Sequence, residues 1–114
     1  MSEQLRRLPG PYELLELSDR QSIDLKVVSW ERGTMEIHPR YAGAPATKEI
    51  PVLRVHVPAD IKALPPQYYD VTSKTLAAQW LPFLLQRGFE KWTFRITAYG
   101  VAPRKRFSLE RLPF

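Results

Sequence analysis

Between Thr72 and Gly88 apolar residues return every three to four positions. Leu76, Ala77, Trp80, Phe83 and Leu84 share one side of a rod, with Thr72 or Ser73 placed to cap its start and Arg87 and Gly88 to end it. This spacing predicts a helix over about 73–87. Pro82 lies inside it and takes away one backbone donor, so a kink or a split is expected there. Leu81 and Leu85 fall off the stripe, which means either that the helix is wrapped on two sides or that it offers an apolar flank to a partner.

Past Gly88 the period changes from helical to two. Trp92, Phe94, Ile96 and Ala98 alternate with Thr93, Arg95, Thr97 and Tyr99, the pattern of a strand with one buried and one wet face. Gly100 to Pro103 reads as a four-residue connection. It sets Phe94 beside Leu109 and Ile96 beside Phe107 on the core side. On the open side it pairs Tyr99 with Arg104, Thr97 with Arg106, Arg95 with Ser108 and Thr93 with Glu110.

Toward the start of the chain the pattern is shorter-ranged. Tyr12 to Leu17, after the break at Pro9, Gly10 and Pro11, reads as a strand. Ile23, Leu25 and Val27 alternate with polar residues as another, and Glu31, Arg32 and Gly33 suggest a hairpin loop that sets Val27 against Ile37 and Ser29 against Met35. Pro39 to Glu49 is a loop rich in Ala, Gly and Pro. Ile50 to Val57 returns as a strand with Pro51 near its start, and Pro58 to Asp70 reads as a stiff crossover into the helix. The elements together predict an α+β fold, an antiparallel sheet of five to six short strands with one main helix on one face. At 114 residues and 44% hydrophobic composition the expectation is a single domain over 1–114.

Charge changes the picture at one end only. Residues 1–86 carry ten basic and ten acidic side chains, and residues 87–114 seven and two, so the formal +5 lies wholly in the last quarter. Such an asymmetry concerns association with anions. Arg104, Lys105 and Arg106, with Arg95 and Arg111 nearby and Tyr99 at the same end of the hairpin, combine cations for phosphates with a ring for stacking. The bland reading is a charged edge strand that resists aggregation.

Other chemistries find little support. The chain has no cysteine, which excludes disulfides, thiol nucleophiles and thiolate metal sites, and no asparagine, which excludes N-glycosylation. Pairing the strands across the 39–49 loop sets His38 near Ile50 and His56 near Arg32, too far apart to share a metal, and no metal or other cofactor is expected. No nucleophile elbow or phosphate-cradling glycine loop occurs, and carboxylates such as Glu36, Asp60 and Asp70 have no visible pocket, so an enzyme is not expected. Met1 to Arg7 are polar and no apolar run is long enough for a leader or a membrane span; a cytoplasmic protein is expected. The functional expectation is a small non-enzymatic nucleic-acid-binding or nucleoprotein-associated module acting through Arg95, Thr97, Tyr99, Arg104, Lys105 and Arg106. The alternative is a protein-interaction subunit whose basic hairpin meets an acidic protein surface.

Overall fold

A computed structural model describes residues 5–101 and 104–112. Six strands and one α-helix follow in order among these residues: β1 (Ser22–Leu25), β2 (Ser29–Ile37), β3 (Lys48–His56), β4 (Tyr68–Val71), α1 (Lys74–Leu84), β5 (Thr93–Tyr99) and β6 (Arg106–Leu112). The class is α+β, with the strands divided into two antiparallel three-stranded sheets, β1-β5-β6 and β2-β3-β4.

The helix joins the sheets. Ser73 caps it by accepting a hydrogen bond from the Leu76 amide at 3.2 Å, and Leu76, Trp80 and Leu84 on its inward stripe are buried. Trp80 meets Phe94 of β5 edge-on at 5.7 Å, and Phe83 packs against Phe94 and Trp92. Gln79 behaves like a short piece of strand on the outer edge of β6: its amide donates to the Phe107 carbonyl and accepts from the Leu109 amide. This occupies an edge that would otherwise stay open to other strands. On the other sheet the Trp30 indole donates to the Leu84 carbonyl at 3.2 Å, satisfying an acceptor in the last turn. Leu25 and Val27 from the β1 region, Leu53 and Val55 of β3, Val71 of β4 and Ile96 of β5 complete one continuous core with these helix residues.

Several expectations fail, each for a physical reason. Glu31, Arg32 and Gly33 do not form a turn; β2 runs straight through them and pairs with β3, so that Met35 faces Ile50 and Ser29 faces His56. Gly33 is there because residues 6–8 cross it: a Cβ would stand 2.4 Å from the Arg6 carbonyl oxygen and 2.6 Å from Leu8 Cγ. β1, released from that hairpin, pairs instead with β5, Ile23 to Ile96 and Leu25 to Phe94. The crossover between Pro58 and Asp70 contains β4, whose four residues pair with the end of β3. Adjacent prolines at 65 and 66 hide that strand from a periodicity reading.

Tyr12 to Leu17 is extended but is no strand. Leu15 donates to the Asp70 carbonyl and the Asp70 amide donates to the Glu13 carbonyl, giving an isolated parallel bridge. With the similar bridge of Arg7 to Thr34 at the far edge, the segment from Arg6 to Leu15 straps the outer face of β2-β3-β4. Leu8 packs there on Met35 and Val52 in a second small core. Beneath the strap lies a buried ion pair: Arg54 Nε donates to Asp70 at 2.7 Å, and its guanidinium sits 4.1 Å from the Tyr68 ring centre. The second Asp70 oxygen accepts from the Glu13 amide and from Arg54. Burial opposes the charge of Arg54, but the hydrogen bond and charge of Asp70 outweigh it, and the guanidinium holds its proton more firmly than a free arginine.

Candidate functional site

The C-terminal hairpin forms where the alternation places it, with a different register. Its connection is residues 100–105, two longer than the sequence suggests, so Tyr99 faces Arg106, Thr97 faces Ser108, Arg95 faces Glu110 and Thr93 faces Leu112. Ala102 and Pro103 of the connection, like Met1 to Gln4, lie outside the described residues. A slip of two preserves every side chain's face because the strand period is two. Phe94, Ile96 and Ala98 are accordingly buried, while Arg95 and Tyr99 are exposed.

The new register and the arrival of β1 divide the six expected site residues. Arg95 is bound by Asp24 of β1 in a two-pronged pair at 2.8 and 2.9 Å and has Glu110 on its other side. That hydrogen bond, with the charge of Arg95 adding to it against a smaller opposing effect of burial, holds the Asp24 carboxyl below its ordinary range. The Thr97 hydroxyl shares a 2.7 Å hydrogen bond with Ser22. Lys105 Nζ donates to the Leu17 carbonyl at 2.6 Å in a part-buried position, which makes it a tie between the hairpin and the chain before β1. Arg111 belongs to the other end: it pairs with Phe94 and stacks over the Trp92 ring at 4.7 Å.

What remains together is the hairpin tip. Tyr99 is 49% exposed, with Arg106 directly across from it and Arg104 exposed just before β6. Arg20 joins them from outside the last quarter of the chain. Its amide donates to the Ala98 carbonyl at 2.7 Å, and it holds a left-handed φ of 65°, which turns the chain into β1 beside Tyr99. In the sequence Ser18 to Gln21 is only a short polar stretch, and nothing in it ties Arg20 to β5. Asp19 sits at the same end, where it accepts the Gly100 amide at 2.7 Å. Arg20, Arg104 and Arg106 take part in none of the ion pairs among the described residues. Tyr99 and these three arginines stand at one end of the hairpin, where a half-exposed ring can stack a planar group and cations can neutralise anions.

The histidines stay apart. Ser29 rather than Arg32 faces His56, and the β2 strand ends at Ile37 opposite Lys48, before His38. His38 contacts the Ala46 carbonyl, and His56 packs edge-on to Tyr68 with Glu31 at 3.9 Å. Among the described residues no three His, Asp or Glu side chains come together as metal ligands, and no helix is long and apolar enough to cross a membrane. Asp70, a carboxylate considered above for acid–base chemistry, is spent on Arg54. No protein-family model, curated protein or solved structure matches the chain.

Proposed function

We propose that the protein is a small, cytoplasmic, non-enzymatic module that binds single-stranded nucleic acid at the tip of its C-terminal hairpin. The observation that carries this reading is Tyr99, half exposed and facing Arg106 across the strands, with Arg104 and Arg20 at the same end. Base stacking on an aromatic ring together with phosphate neutralisation is the usual means of sequence-tolerant single-strand binding. The active surface is narrower than the hairpin as a whole, since Arg95 and Lys105 have partners within the protein. Thr97 and Arg95 then serve as the floor that holds the tip.

Fluorescence anisotropy with a labelled oligothymidylate over a range of salt tests this. Replacing Arg104 and Arg106 by Ala removes two phosphate contacts and flattens the logarithmic salt slope by about 1.4. Tyr99→Ala lowers affinity by about 1 to 3 kcal/mol and leaves the slope nearly unchanged. If the native protein has no affinity for single- or double-stranded DNA or RNA at low salt, the basic tip belongs to an acidic protein surface or to solvent.

A further inference from the structure

We propose that the groove between α1 and the uncovered part of the β2-β3 face is a docking surface for an acidic, amphipathic segment of another protein. The groove follows from side-chain size. Alternation turns Arg32 and Thr34 of β2, with Pro51 and Leu53 of β3, toward the side on which α1 lies. Opposite them the helix presents Ala77, Ala78 and Leu81, and the two alanines leave a hollow of about 270 Å³. Past Leu5 and Arg32 the hollow continues into a shallower one beside Trp30 and Leu85. Leu81 is half-buried, but Leu85 is 72% exposed at the end of this path. Of the two leucines off the helical stripe, one lines the groove and the other extends it into solvent.

The rim supplies the charge that selects an occupant. Arg6, Arg32 and Lys74 stand around the two hollows, with Glu31 as their acidic neighbour. None of the three cations takes part in an ion pair among the described residues. Lys74 is the first residue of α1, whose first turn holds no acidic side chain. A cation there opposes the helix dipole, so folding alone gives no reason for it. An apolar trough with an unpaired basic rim complements leucine-type side chains flanked by carboxylates. Two hollows that share Leu5 and Arg32 suit a row of side chains at helical spacing rather than one compact ligand.

The probe is a synthetic helical peptide with leucines at i, i+3, i+4 and i+7 and glutamates at the other positions, followed by anisotropy in low salt. Saturable binding is expected. Ala78→Gln, which fills the hollow with a good helix former, should weaken it at least tenfold, and Arg32→Gln or Lys74→Gln by about two- to fivefold each. Replacing the glutamates with lysines should abolish it, while Arg104→Ala with Arg106→Ala should leave it unchanged. Far-UV circular dichroism confirms that each variant is folded. The proposal is overturned by absence of binding, or by binding that ignores Ala78→Gln or that vanishes with the hairpin arginines. It is equally overturned if decanoate displaces the peptide at comparable concentration, which would make this a small-amphiphile site. Self-association of the native protein that Ala78→Gln abolishes would assign the groove to a second copy.

Discussion

Trp80 and the Arg54–Asp70 pair bury polar atoms in opposite ways. Trp80 is fully enclosed, and its indole N–H has no hydrogen-bond partner among the described residues. The ring therefore contributes through packing and gives some of that gain back through an unmet donor. Trp80→Ala should cost about 3 to 5 kcal/mol in urea unfolding. Trp80→Phe should cost clearly less, because it keeps most of the packing and discards the orphaned donor; equal losses would mean that the donor is satisfied. The Arg54–Asp70 pair is the contrary case. Both groups are almost wholly buried, and each Asp70 oxygen has a partner. Asp70→Asn should cost about 3 to 5 kcal/mol by leaving a buried cation uncompensated, and Arg54→Met combined with Asp70→Leu should cost less than that single change. Sequence alone had no means of finding the pair, since Arg54 alternates among valines and leucines as a wet-face residue would.

At the scale of elements, legibility depended on whether partners were near in sequence. The helix was readable because its stripe and its Ser73 cap are local, and the β5 face was readable because an error of two in register leaves faces unchanged. β2 was not readable, since its glycine answers to a segment more than twenty residues earlier. Gly33→Ala should therefore cost about 1 to 3 kcal/mol, as overpacking does. It should also raise hydrogen exchange at the Leu8 and Thr34 amides, which donate across that contact. Exchange there at native rates would show that the strap yields without loss. β1 was misassigned for the same reason, and with it the fate of Arg95. Because Arg95 depresses Asp24, the pair's contribution is complete above the unfolded aspartate value of about 3.9 and disappears as pH falls through the lower folded value. Asp24→Asn should accordingly flatten the stability curve below about pH 4 and leave its shape near neutrality unaltered. The effect is small, because both partners are more than two-fifths exposed.

Across the whole molecule, order along the chain and order in space part company. The excess of positive charge belongs to residues 87–114 in the sequence, yet in the fold Asp24 neutralises the middle of the hairpin while Arg20 adds to its tip. A charge count by segment misses both residues, because Asp24 and Arg20 reach the hairpin from the first quarter of the chain. The same interleaving bears on cooperativity. The two sheets have no common strand, but α1 is tied to β6 through Gln79 and to β2 through Trp30, and one core cluster draws on both sheets. Neither sheet has an apolar core of its own large enough to stand alone: the second cluster consists of Leu8, Met35 and Val52 with three partly buried neighbours. Unfolding should then be a single transition. Tryptophan fluorescence, which reports on Trp30, Trp80 and Trp92, should coincide in urea with far-UV circular dichroism, with a common slope of about 1 to 3 kcal/mol per molar. Trp30→Phe removes the indole donor to Leu84 and should lower the midpoint while keeping the two curves superimposed. Curves that separate in that variant would show that the Trp30 bond, rather than the shared core, couples the β2-β3-β4 sheet to the rest.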